Sequence, residues 1–373
     1  MKRKLTAVLL SLCWAMLLCG CNGFNNEYIV IENYQPSVQE ESREDGKIVV
    51  KNYAALKRAL LSMAYSGKTE GSIVFDSAYD GDTTEDMASA CWAVRTQDAL
   101  CAYCVENIAY ELNKIVTINE ANVYLSYSDV TAKPKDIRHT SFSTAAENII
   151  ENALMEGAKQ LVLLVEHSGY SAEDMSGVIT SVYRENPTIV PVEPVAAINM
   201  YSGSGTQRLY EISINYGLTA EEINARSAQL MAIDAFAGLD VESLNEAQRA
   251  YYACEYLFNN CGLSEDALDN TAYAALVENQ ANSEGLAFAY VELCRQLDVD
   301  CRIVYGQLDW QEYCWNIVKI DGSYYHVDVS AALIDGMGSR FLQGDEDFWG
   351  TYRWDVSSYP KCNETLDYSE LVT

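Results

Sequence analysis

Two alternating runs joined by Asp321-Gly322 constrain this chain more than any other feature. Tyr313-Cys314-Trp315-Asn316-Ile317-Val318-Lys319-Ile320 lies on one side and Tyr324-Tyr325-His326-Val327-Asp328 on the other. Asp-Gly accepts the positive φ values of a tight hairpin, so the two runs must pair antiparallel. A further β-branched run, Cys301-Arg302-Ile303-Val304-Tyr305-Gly306, precedes them and ends in glycine. Upstream, Ser283 to Leu297 carries apolar residues at helical spacing. More helices are predicted before it: Leu218–Ala235, opening with Thr219-x-x-Glu222, then Asn245–Asn260, and a shorter apolar element at Asn270–Val277. Helices followed by an antiparallel sheet give an α+β class for residues 218–373.

Residues 47–217 read differently. Glu85-Asp86-Met87 recurs as Glu173-Asp174-Met175, an offset of 88. Ile73-Val74-Phe75 maps at that offset onto Leu161-Val162-Leu163, and Val123–Tyr127 onto Glu211–Asn215. Ala55–Tyr65 and Ser143–Leu154 both read as helices. Agreement of several elements at one offset predicts an α/β module of two tandem repeats of about 88 residues. Each copy reads helix, strand, turn, helix, then two strands, the strand pairs lying near 102–128 and 192–216. Thr83 or Thr84 is expected to cap the second helix of the first copy, and Ser171 that of the second. The acids Glu85 and Asp86 belong to a first helical turn and carry no catalytic reading. With no Gly-rich phosphate loop, metal cluster or nucleophile motif, the module reads as a binding or spacer unit.

The N-terminus is a targeting segment. Lys2, Arg3 and Lys4 precede the uncharged run Leu5–Leu18, which is too short for a comfortable span. Leu18-Cys19-Gly20-Cys21 follows, resembling the bacterial lipobox. That resemblance implies removal of residues 1–20 and a diacylglycerol on Cys21, hence attachment to the extracytoplasmic face of a bacterial membrane. Residues 21–46 read as a polar tether with a short strand-like piece, Tyr28-Ile29-Val30-Ile31.

The formal charge of −29 argues against nucleic-acid binding and against electrostatic adhesion to anionic lipid. Nine of the twelve cysteines lie outside the targeting segment. Nine is odd and most sit in apolar runs, so they read as buried free thiols. Cys101-x-x-Cys104 lacks a second pair at zinc spacing, and no metal or cofactor is expected.

The run from Ser283-Glu284-Gly285 through Tyr313-Cys314-Trp315-Asn316 to Val327-Asp328 resembles the transglutaminase-like (papain-related) superfamily. The likeness extends over about residues 218–373. In that family a cysteine opens the helix, a histidine stands before a Trp-Asn pair, and an aspartate ends the next strand. By resemblance the equivalent positions are Ser283, Tyr313 and Asp328, with Glu284, Gly285, Trp315 and Asn316 beside the cleft. A hydroxyl at a helix start does not ionise as a thiol does, and a phenol is a poor base at neutrality. A catalytically silent domain is therefore expected, binding peptide or a cell-wall or extracellular ligand. The alternative is a hydrolase or acyl transferase using Ser283 or a non-standard nucleophile. Its base would be His326, placed by strand alternation on the face of Asp328. Cys294 and Cys314 are expected in the core.

Overall fold

The computed structural model describes residues 46–115, 118–266 and 268–367. The targeting segment, Cys21, the tether and Tyr28–Ile31 lie outside the described residues. Among the described residues no helix is long and apolar enough to cross a membrane.

The first part of the chain forms β1 (Ile48–Val50), α1 (Tyr53–Tyr65), β2 (Glu70–Phe75), α2 (Thr83–Gln97), α3 (Ala99–Cys104), β3 (Val105–Ile115) and β4 (Ile118–Tyr127). The sheet order is β1-β2-β4-β3, with β1 parallel to β2 and the other pairs antiparallel. Then come β5 (Arg138–Phe142), α4 (Ala146–Met155), β6 (Gln160–His167), α5 (Ala172–Glu185), β7 (Val195–Ser202) and β8 (Arg208–Asn215). Their order is β5-β6-β8-β7, with β5 parallel to β6 and the rest antiparallel.

Local signals account for most boundaries. Asp82, one residue before the expected Thr83 or Thr84, caps α2 by accepting from the Thr84 and Glu85 amides. Its carboxylate outcompetes the hydroxyls for those donors. Ser171 caps α5 in a reciprocal box with Asp174. Residues 102–104, expected to start a strand, instead end α3. That helix is buried at Ala99, Leu100, Cys101, Tyr103 and Cys104, so it lacks the polar face that marks a helix in sequence.

The C-terminal part contains α6 (Ala220–Met231), α7 (Glu246–Asn260), β9 (Gly262–Leu263), α8 (Ala272–Leu276), β10 (Gln280–Ala281) and α9 (Ser283–Gln296). It continues with β11 (Cys301–Leu308), β12 (Gln311–Ile320), β13 (Ser323–Val327), α10 (Val329–Asp335), β14 (Phe341–Gln343), α11 (Asp345–Phe348) and β15 (Tyr352–Trp354). The five-stranded sheet is antiparallel in the order β14-β13-β12-β11-β15. Asp321 and Gly322 take φ values of 48° and 88°, the left-handed pair that a two-residue hairpin demands.

Helix α9 covers one face of this sheet, where the buried Asn316 side chain donates to the Ala287 carbonyl at 3.0 Å. The opposite face carries Val304, Trp315, Ile317, Phe348 and Tyr352. The main core draws its residues from both halves of the chain, Ala146 through Leu342. Strand β6 belongs to two cores at once. Leu161, Leu163 and Val165 enter the main one, while Val162 and Leu164 join the core of the first sheet. Alternation along a strand produces that division, so the second sheet is a middle layer covered on both faces. The nine cysteines of the described residues are unpaired, eight of them buried.

Candidate active-site cleft

Ser283 is the first residue of α9. The cap belongs to Asn282, whose side-chain oxygen accepts from the Glu284 amide at 3.0 Å and the Gly285 amide at 3.1 Å. Two of the donors that a helix start offers to an anion are therefore already used. Ser283 and Glu284 line an open cleft of about 820 Å³, together with Tyr305, Tyr313, Cys314 and Trp354.

Tyr313, which the resemblance sets at the family's histidine position, faces Asp328. Its hydroxyl donates to Asp328 Oδ1 at 3.3 Å, and the Tyr352 hydroxyl donates to Oδ2 at 2.6 Å. The Ala331 amide adds a third bond to Oδ1 at 3.0 Å, because Asp328 also caps α10. Burial pushes the Asp328 carboxyl above the usual carboxylate range, while the Tyr352 and Ala331 hydrogen bonds oppose that rise. Burial, followed by the charge of Asp328, lifts the Tyr313 phenol far above its ordinary range. Tyr313 is thus a fixed donor with no capacity to take a proton at neutrality.

His326 is not at this cleft. It is fully buried in the opposite cluster, stacked on Phe348 with ring centroids 4.5 Å apart. Trp315 Nε1 donates to His326 Nδ1 at 2.9 Å, and an indole N–H has no acceptor role. Nδ1 must then carry the lone pair, Nε2 carries the proton, and Nε2–H donates to Asp345 Oδ1 at 2.9 Å. Both ring nitrogens are committed, so the structure does not deliver His326 to Ser283 as a base. Burial lowers its affinity for a second proton, against a smaller opposing pull from Asp345.

The remaining expected positions divide. Glu284 lines the cleft, whereas Gly285, Trp315 and Asn316 do not. Trp315 is 1% and Asn316 0% exposed, each packed under one face of the sheet. Gly285 lets α9 approach the chain before it, since a Cβ there would sit 2.6 Å from the Asp269 carbonyl oxygen. Cys294 is core. Cys314 is buried as expected, at 8% exposure, and its remaining surface lines the cleft. Burial, then the charge of Glu284, pushes its thiol up to about 12, so it stays protonated at neutral pH.

Residues that bear on Glu284 in the cleft were not legible as such. Arg184, in the last turn of α5, places its guanidinium 4.1 Å above the Tyr305 ring and 3.7 Å from Glu284. Asn270 donates to Glu193 at 3.1 Å and to Glu284 at 3.4 Å, bridging two carboxylates. Burial, then the charge of Glu193, raises the Glu284 carboxyl. In sequence, Arg184 reads only as a cation complementing a helix C-terminus.

His326, Asp345 and Cys362 bring potential ligand atoms within 4.8 Å of one another. The Trp315 bond fixes a proton on the nitrogen that faces Asp345, so that nitrogen has no lone pair for an ion. The residues do not fit a metal centre as they stand.

Residues 237–329 match the family described as the transglutaminase-like superfamily. No curated protein matches the chain. Among solved structures, a TGase is similar at 10% identity over 57% of this chain, with a TM-score of 0.28. The alignment spans 64% of that protein, under two thirds of its length. A protein of Cytophaga hutchinsonii assigned as a cysteine protease is similar at 13% identity. That match covers 42% of this chain and 70% of that one, with a TM-score of 0.24.

Proposed function

We propose that this chain, which carries a transglutaminase-like domain at residues 237–329, is a catalytically silent surface lipoprotein whose cleft binds a peptide or a cell-wall or extracellular ligand. One observation carries the reading. The aspartate at the family position is saturated by two phenols and a backbone amide, and no imidazole reaches the serine that replaces the cysteine. Acyl transfer needs a nucleophile with a proton acceptor beside it. Ser283 has the protonated Tyr313 phenol in its cleft and a half-buried Glu284 of raised pKa. Purified protein offered glutamine and amine donors, and separately peptide amides, is expected to give no turnover above buffer. Robust turnover abolished by Ser283→Ala would sink the reading. The serine-hydrolase alternative draws no support from His326, whose lone pair is held by Trp315.

The segments serve this role as follows. Residues 1–20 are the signal peptide, Cys21 carries the lipid, and 21–46 form the tether. The module at 47–217 and the transglutaminase-like domain at 218–373 stand outside the membrane. Labelled fatty acid should enter the wild-type protein and not Cys21→Ala, which should be released into the medium.

We further infer that 47–217 holds two copies of one unit, an idea supported by the shared order and sense of the two sheets. The offset drifts around 88. Buried Leu56, Leu60 and Met63 correspond to Ala146, Ile150 and Ala153, an offset of 90. Ile73 pairs with Ala121 and Leu163 with Tyr210, so buried Val123 and Leu125 correspond to Ile212 and Ile214. A constant 88 would set Val123 against the polar Glu211, one residue out and therefore on the wrong face.

A further inference from the structure

The five-stranded sheet is unfinished along β11. β15 pairs with β11 only at Gly306, Gln307 and Leu308. Two bonds fix which way the rest of β11 points its backbone. The Lys319 amide donates to the Asp300 carbonyl at 2.9 Å, so residue 300 faces β12. The Tyr305 amide donates instead to the Tyr359 hydroxyl at 3.1 Å, so residue 305 faces outward. In an antiparallel strand these directions alternate. Cys301 and Ile303 therefore turn their N–H and C=O groups to the open side, where no strand of the described residues pairs with them.

That edge does not face bulk water directly. Helix α5 stands opposite and leaves a groove of about 710 Å³ between them. Gly177, Thr180, Ser181 and Glu185 form the helix wall, and Arg184 closes the groove toward the cleft. A side chain added at Gly177 would find nothing within 4 Å. An edge protected against pairing is normally covered or bulged. This one is left open beside Gly177, where the helix wall is lowest.

We propose that this groove binds an extended acidic peptide, which adds to β11 as an edge strand through the backbone groups of Cys301 and Ile303. The inference rests on the ligand-binding reading of the neighbouring cleft and specifies the ligand. A bound strand would alternate its side chains. Those turned to α5 meet Gly177 and Ser181 and must be small. Those turned the other way meet Arg302, which lines the groove, is exposed and has only a loose ion pair with Asp300 at 3.8 Å. Two guanidiniums, Arg184 and Arg302, line the groove against one carboxylate, Glu185, and that local excess favours carboxylate side chains.

The test uses the whole mature chain and a fluorescent octapeptide alternating alanine and glutamate, followed by anisotropy. Saturable binding is expected. An analogue N-methylated at alternate amides should bind at least about tenfold more weakly, because strand addition depends on backbone donors. Gly177→Trp should abolish binding by filling the groove, and Arg302→Glu should shift preference to an alanine–lysine octapeptide. Absence of saturable binding, or equal affinity for the N-methylated analogue, overturns the proposal. The N-methylation comparison leaves the protein untouched, so it decides the matter even where Gly177→Trp fails to fold. Loss of binding in Ser283→Trp, with Gly177→Trp unaffected, moves the peptide into the cleft and overturns the edge assignment alone. Turnover dependent on Ser283 overturns the silent-cleft reading and leaves the edge assignment standing.

Discussion

Single residues decide whether this cleft reacts, and two of them make separate predictions. His326 is buried, neutral and bonded at both nitrogens. Its folded pKa lies below the ordinary 6.5, with burial the main cause. The stabilising contribution is then complete above about 6.5 and is lost as pH falls through the lower folded value. Wild-type protein should lose more urea resistance between pH 7 and pH 5 than His326→Gln does; equal losses would refute the assignment. The second prediction restores chemistry. With Asp328 in place to orient a ring at 313, Ser283→Cys combined with Tyr313→His should alkylate with iodoacetamide at pH 6.5 about tenfold faster than Ser283→Cys alone. The neighbouring charges of Glu284 and Glu193 restrain the gain. Identical rates would show that position 313 does not reach position 283. Ser283, Tyr313 and Asp328 could be named from sequence because each sits in a local motif. Sequence could not carry the fate of His326. Strand alternation put that ring on the side of Asp328, and the same alternation put Trp315 there to claim its lone pair.

At the level of elements, what could be read in advance was whatever a few neighbouring residues determine. The capping box of Thr219 with Glu222 forms as the spacing requires, the helix expected from Asn245 is present, and Asp321-Gly322 makes its turn. What could not be read depends on contacts between distant segments. Gly285 looks in sequence like a weak helix residue, one whose replacement by alanine should help. The fold reverses that sign. A Cβ at 285 would lie 2.6 Å from the Asp269 oxygen and 2.9 Å from the Thr271 oxygen, both backbone atoms that cannot swing aside. Gly285→Ala should therefore destabilise by about 2 kcal/mol, as overpacking does. Denaturant midpoints measure it, and a stabilised variant would contradict the packing described here. The hidden helix α3 and the crossing of Arg184 from α5 to Glu284 share this origin, since neither leaves a periodic trace in its own segment.

The whole molecule is built on a sheet that cannot be removed. Leu161, Leu163 and Val165 of β6 sit in the same core as Leu286, Phe288 and Val318 of the transglutaminase-like part. Tyr183 of α5 meets Phe288 of α9 edge-on, with ring centroids 5.6 Å apart, and Thr188 bonds Glu292. A boundary drawn at 217 therefore cuts through a hydrophobic core. Residues 218–373 expressed alone would expose that face, and exposed apolar area of this kind drives association. The fragment should bind a hydrophobic dye and elute as aggregate, while the chain from residue 47 elutes as a discrete species with a cooperative transition. A monomeric, cooperatively unfolding fragment would show that the second sheet is dispensable. Dependence on that sheet has a consequence for the cleft. Arg184 and Glu193 reach Glu284 only because the middle layer docks there, so the charge of the cleft floor is set jointly by both parts of the chain. Arg184→Ala, which leaves the transglutaminase-like motifs untouched, should raise the Glu284 pKa further by removing its nearby cation. Carboxylate titration by NMR would register that shift, and an unmoved Glu284 would separate the two parts electrostatically.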